Sequence, residues 1–242
     1  MPRGKKTLLQ TQEQLDTKAT ETSEKSAEAI MRNVNVVGYS GTDIAVFIAI
    51  AFQKLGQTVL ITDRSPERDI LSLFLQGESA PLTERYGVTA TDDVSEYKKS
   101  NYSYHVTYYG RNVADAALAE KEELQILTTD MYAEHAKLLS NLPAPLDESE
   151  ETKKLRLIVL NDVVKIKYGK KYLLELIGHK EIKKVVKLQF NPTDFEIKLS
   201  IGHEKLYLKS LTENYKLALN DILSIALGSE LTKLQKKLIY SK

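Results

Sequence analysis

The stretch "VNVVGYSGTDIAVFIAIAFQKLGQTVLITD", residues 34–63, constrains the fold more than any other part of the chain. An apolar strand (34–37) enters a glycine turn, an apolar helix follows (43–55), Gly56 ends it, and a second apolar strand (58–62) closes on Asp63. A strand that turns through glycine into a helix is the layout of a phosphate-binding loop, because free N–H groups and the helix dipole converge there. Yet "GYSGTD" carries no lysine to meet a phosphate. The fold of such a site is written here without its usual charge.

The pattern continues beyond this unit. Further strands are expected at 102–108, 124–129, 155–160 and 185–190, with helices at 131–141, 171–177 and 213–227. Strands apolar on both faces and separated by helices indicate a doubly wound α/β fold, its mostly parallel sheet flanked by helices. A 242-residue chain, 42% hydrophobic and 28% charged, suits one such domain with tails. Residues 1–32 are polar and read as a flexible extension; 33–228 form the domain; 229–242 form a basic tail. "RGKKT" at 3–7 follows no strand and is not a phosphate loop. "LPAPLDESEE" (142–151) reads as an acidic surface loop.

Composition removes several classes. A net charge of +1 gives no strong case for nucleic acid. The absence of cysteine excludes disulfides, thiolate catalysis and cysteine-bound zinc, and fits a cytoplasmic location. The longest apolar run, 44–52, is nine residues, too short to span a bilayer. The N-terminus has basic residues but no apolar core of a secretory signal. His105, His135, His179 and His203 are scattered without metal-ligand spacing and read as structural or exposed. Tyr102, Tyr104, Tyr108 and Tyr109 read as packing or partner surface, since no basic cluster adjoins them. A G-x-S-x-G nucleophile elbow is not met.

Taken in order, the pieces over roughly 34–228 resemble the ParA/MinD family of Walker-type ATPases, a P-loop NTPase-like fold. Gly38 and Gly41 match loop positions, Ala45, Ala49 and Ala51 match the small-residue helix face, and "SPERD" follows Asp63 where the family has D-P-Q. "LIVLND" places Asn161 where many members contact adenine, and "FNPTDFEIKLSIGHEKLYL" resembles a later family segment. The alternative is a generic α/β topology with an ordinary strand-to-helix turn. Against the family pattern, Val37 replaces the signature lysine that reaches the partner subunit's nucleotide, and Thr42 replaces the loop lysine. Asp43 replaces the magnesium-binding hydroxyl residue, and Tyr108 stands for the Walker B aspartate. The degenerate loop is thus Val37, Gly38, Tyr39, Ser40, Gly41, Thr42 and Asp43, with Asp63, Tyr108 and Asn161 as vestigial positions. Asp63 could equally cap the turn that follows it.

In the first turn of its helix, Asp43 is expected to cap the free N–H groups and match the dipole. A triphosphate would then meet a carboxylate, without a competent magnesium site. The resemblance therefore implies a pseudo-ATPase: no catalytic residue, no metal, no required cofactor, and ATP or ADP binding disfavoured. Its nearest analogy is to the atypical TadZ/CpaE-like members that localise pilus or secretion machinery. The expected role is a scaffold or positioning factor for a membrane-associated machine, with a homo- or heterodimeric partner of similar fold. The alternatives are a working ATPase acting in partition or cell division, and a regulatory subunit paired with an active paralogue.

In the tail, Leu231, Leu234, Leu238 and Ile239 follow i, i+3, i+7, i+8 spacing, with Lys233, Lys236 and Lys237 elsewhere on the helix. Such a helix can lie in an anionic membrane interface at the inner face, dock on a protein, or pack on its own sheet. If it lies beyond the core, deleting 229–242 leaves the fold intact.

Overall fold

Ten consecutive side chains, Asp43 through Phe52, are buried in the first helix. A helix apolar all round has to be covered on every side, and here a sheet lies beneath it and further helices beside it. The computed structural model describes residues 32–76, 80, 82–93, 95, 102–118, 124–143, 155–164, 170–178 and 182–241. These belong to one compact unit, Met31–Lys242. The polar extension at 1–31, most of the 142–151 loop and His179 lie outside the described residues.

The strands are β1 (Arg32–Gly38), β2 (Val59–Asp63), β3 (Leu82–Arg85), β4 (Val88–Thr91), β5 (Tyr104–Gly110), β6 (Leu124–Thr129), β7 (Leu155–Val163) and β8 (Ile182–Gln189). They form one sheet in the order β3-β4-β2-β5-β1-β6-β7-β8. Every neighbouring pair is parallel except β3–β4. The helices are α1 (Thr42–Lys54), α2 (Asp69–Leu75), α3 (Val113–Ala117), α4 (Ala133–Leu138), α5 (Lys170–Ile177), α6 (Pro192–Leu199), α7 (Glu213–Leu227) and α8 (Lys233–Ile239).

Side chains alternate across the sheet, as the two-residue period of a strand requires. Val34, Val36, Leu157 and Val159 join the core beneath α1 and α7. Val37, Leu127, Ile158 and Leu160 join a second core with α3, α4 and α5. This is the expected doubly wound, mostly parallel sheet with both faces covered. The 124–129 strand and the 213–227 helix have the expected bounds.

Four elements were not legible in the sequence: the β3–β4 hairpin, α2, α3 and α6. The hairpin turns through Tyr86 and Gly87, both at positive φ (57° and 73°). That turn ordinarily carries Asn or Gly at its first position, so a tyrosine there conceals it. The tail also departs from expectation. Its four apolar residues do not share one face, because Leu231 precedes the N-cap Thr232 and so lies outside the helical phase. Leu231 and Ile239 are buried in the main core, whereas Leu234 and Leu238 are exposed. The Tyr240 hydroxyl donates to Lys216 O (3.1 Å) and Asn220 Oδ1 (2.9 Å), tying the tail to α7. The tail is part of the core, and the expectation that it can be removed without consequence is corrected.

Candidate functional site

In a parallel sheet the crevice for a ligand opens at the carboxyl ends of the strands, where successive connections run to opposite sides. Here β5 and β6 flank β1, so the β1 loop, Asp63, Tyr108 and Asn161 converge at that edge. The loop is shaped by contact with β6. A Cβ on Gly38, whose φ is +116°, would sit 2.0 Å from the Thr128 carbonyl oxygen, so only glycine fits. Val37, matched to the signature lysine in the resemblance, is fully buried and packs into the second core. Tyr39 stacks on His135 (ring centroids 3.6 Å apart), and the Arg111 guanidinium lies 5.9 Å from the Tyr39 ring centre. His135 Nδ1 is 2.8 Å from both Asp130 oxygens, and Ser40 Oγ donates to Asp130 Oδ2 at 3.5 Å. His135 thus braces the loop.

Asp43 does not cap α1. Gly41 is the N-cap, with no side-chain capping bond, and the Asp43 carboxylate turns toward α6, α7 and the end of β7. It accepts from the Tyr215 hydroxyl (2.8 Å) and from Asn161 Nδ2 (3.2 Å), and forms an ion pair with Lys198 Nζ (3.2 Å). Lys198 Nζ also donates to Asn161 Oδ1 (2.9 Å) and Asp162 Oδ1 (2.8 Å). Asn161 Nδ2 reaches back to Ser40 O (2.7 Å). The side chains of Asp43 and Lys198 are 7% and 12% exposed, so the pair is largely out of water. Burial pulls the Lys198 pKa down, but the charges of Asp43 and Asp162 outweigh it and hold the ammonium above its usual range. Burial and the Asp43 charge push the Tyr215 phenol well above its usual range. A neutral phenol, a lysinium and a carboxamide therefore surround the carboxylate.

The vestigial positions are also engaged. Asp63 accepts from Ser65 N (3.0 Å), Ser65 Oγ (2.6 Å), Ile70 N (2.8 Å) and Leu71 N (3.0 Å). Both oxygens are filled by the segment entering α2, which is the turn-capping option. The Tyr108 hydroxyl lies 3.0 Å from Thr42 Oγ1 and donates to Asp69 Oδ2 at 3.2 Å. Burial raises the Tyr108 pKa well above its usual range, so it stays a neutral donor. Asn161, the position of adenine contact in the resemblance, has both amide atoms committed to protein groups.

A cavity of about 690 Å³ opens beside this network, lined among others by Ser40, Thr42, Asp43, Tyr108, Asn161 and Lys198. Its charged lining is Asp43, Glu67, Asp69 and Asp162 against Arg111 and Lys198, an excess of two negative charges. Both cations are paired, Lys198 with Asp43 and Asp162, Arg111 with Glu67. Among the described residues no group of three histidine or carboxylate side chains is placed to hold a metal. These residues do not fit a polyphosphate: the cavity's excess negative charge repels it, and both lining cations are already paired.

Sequence reasoning missed Lys198, Asp162 and Tyr215. The available signal was the spacing of Asp194 and Lys198 on α6, four residues apart and hence on one face. Asp194 is buried, accepting from Thr212 N (2.7 Å) and Thr212 Oγ1 (2.6 Å) at the start of α7. The tail residues Leu231, Lys233, Leu234, Lys236, Lys237, Leu238 and Ile239 do not line the cavity.

No protein-family model and no curated protein sequence matches the chain. Solved structures do match its fold. The septum site-determining protein MinD of Pyrococcus horikoshii, complexed with Mg-ADP, has a TM-score of 0.54 at 13% identity, covering 85% of this chain and 99% of that one. MinD in the MinC:MinD cell division complex of Aquifex aeolicus has a TM-score of 0.50 at 12% identity, covering 83% and 98%. The chain therefore shares the α/β fold of these MinD structures at low identity. No helix among the described residues is long and apolar enough to cross a membrane.

Proposed function

We propose that the protein is a pseudo-ATPase of MinD/ParA-like fold that works as a scaffold or positioning factor, not as a hydrolase. The carrying observation is the Asp43–Lys198 ion pair at the loop. A phosphate arriving there must displace a carboxylate from its lysine, phenol and amide partners, and would leave that carboxylate buried and unpaired. A working ATPase also needs a cation on the transferred phosphate and a ligated metal, whereas Thr42 and Tyr108 form a neutral hydrogen-bonded pair. The P. horikoshii and A. aeolicus MinD structures support a role in positioning, and the MinC complex supports a protein partner. The pilus or secretion machinery served by TadZ/CpaE-like proteins is the machine we favour.

The outer face of α8 supports peripheral contact with an anionic membrane: Leu234 and Leu238 are exposed beside exposed Lys233, Lys236 and Lys237. Changing these three lysines to glutamate is expected to abolish salt-sensitive co-sedimentation with anionic vesicles, each contributing about 1 kcal/mol. Wild type that ignores such vesicles leaves α8 as a structural helix only. For the main reading, magnesium-dependent ATP hydrolysis is expected at background. Turnover well above background that is lost in both Asp43→Ala and Thr42→Ala overturns it.

A further inference from the structure

The acidic cavity also carries exposed apolar side chains. Leu73 of α2 and Leu199 of α6 line it and are 37% and 63% exposed. Phe195 lies one turn from Leu199 on the same face of α6, is itself exposed, and its ring centre is 6.0 Å from that of exposed Phe190. Exposed apolar side chains grouped beside a cleft mark a site of contact. Within the cavity, the cations are spent on three of the four carboxylates. Asp69 is left with neutral company: its Oδ2 takes the Tyr108 hydroxyl at 3.2 Å, and no ion pair to it is formed among the described residues. Burial pushes its carboxyl above the usual range, the Tyr108 hydrogen bond pulls the other way, and the Asp63 charge adds to the rise. An incoming cation would relieve that unfavourable burial.

We infer that this cleft is a docking site for a partner-protein segment presenting an arginine or lysine between apolar side chains. The two negative charges in excess select the cation, and the exposed leucines of the lining, with Phe195 next to Leu199 on α6, select what flanks it. A free polyamine would satisfy the carboxylates but leave these apolar side chains in water, so a protein segment uses the surface more fully. The inference rests on the reading that the cleft is not a nucleotide site, and names the chemistry of the partner for it.

The test uses a short fluorescein-labelled peptide with one arginine between leucines, and its counterparts with glutamine or glutamate at that position. Fluorescence anisotropy with the full chain is expected to show saturable binding of the arginine peptide and none of the glutamate peptide. Asp69→Asn should weaken binding by at least about tenfold, the loss of a charge-assisted contact. Leu199→Ser should weaken it in a second, structurally independent way. Equal binding of all three peptides, no effect of either substitution, or tighter binding of spermidine than of the arginine peptide overturns the inference. If Asp69→Asn does not fold, the peptide series on wild type and Leu199→Ser still decide it. Mg-ATP is titrated in parallel. Saturable Mg-ATP binding that expels the peptide supports the cleft as the peptide's site but overturns the non-nucleotide reading. Absence of both peptide and Mg-ATP binding overturns the docking inference alone.

Discussion

Asp43 stands at the start of α1, where the chain's N–H groups would receive a phosphate, and is held there by Lys198, Tyr215 and Asn161. The stability of this arrangement is asymmetric. Lys198→Ala leaves a buried carboxylate without its cation and is expected to cost about 3–5 kcal/mol. Replacing both partners with apolar side chains, Asp43→Leu with Lys198→Met, is expected to cost less than the two single losses combined, since it removes two desolvation penalties together and leaves the Tyr215 hydroxyl and Asp162 to lose their partners only once. Chemical denaturation of Asp43→Leu, Lys198→Met and the double variant measures this; additive losses would show that the pair is not coupled. A second residue sets an acid limit. Burial lowers the His105 pKa from 6.5 to about 4, while its Nε2 lies 2.7 Å from Thr62 Oγ1. The folded state thus keeps this imidazole neutral at pH values where the unfolded chain protonates it. Its contribution is complete above pH 6.5 and is lost as pH falls toward 4, by roughly 3 kcal/mol in all. His105→Gln should flatten stability over that interval, and an unchanged pH profile would contradict the assignment. At this scale the sequence announced Asp43 and the missing lysines. It did not announce Lys198, because a lone lysine in a helix usually faces water.

The α6 helix explains why. Its apolar residues Phe195 and Leu199 face out, while Asp194 and Lys198 face in with the partly buried Ile197, so charge and apolar surface are mixed on both sides, unlike an ordinary surface helix. A reader of hydrophobic periodicity places the wrong side toward the core. The β3–β4 hairpin was hidden by Tyr86 at its turn, whose hydroxyl donates to His203 O at 2.7 Å and accepts from Gly202 N at 2.9 Å. A tertiary contact there decides what local propensity would not. The tail misled in the other direction, since a regular apolar spacing was read through the N-cap into residues that do not share the helix. Ile239→Ala should therefore cost about 2–5 kcal/mol, while Leu234→Ala should change stability by no more than about 0.5 kcal/mol. Thermal unfolding distinguishes them. Equal, small effects would mean that α8 is an appendage after all.

Across the whole molecule, alternating apolar strands and helices made the sheet legible, because burial on both faces leaves few other arrangements for such a pattern. The convergence of β1, β5 and β7 ends on one crevice followed from that topology. The internal ion pair at the loop did not, since it joins residues 155 positions apart (Asp43 and Lys198). One consequence reaches beyond the single chain. In the family that the sequence resembles, a nucleotide-bridged pair uses a lysine at the position matched by Val37, and Val37 is in the core. Any association should therefore be the same with and without ATP by analytical ultracentrifugation, and an ATP-induced shift to dimer would count against the account. The central claim, that this fold keeps the loop and fills it from within, is tested most directly by calorimetric titration of Mg-ATP into the wild-type chain. No saturable heat is expected up to millimolar nucleotide, about 4 kcal/mol of binding free energy; micromolar binding that is weakened by Lys198→Ala would contradict it.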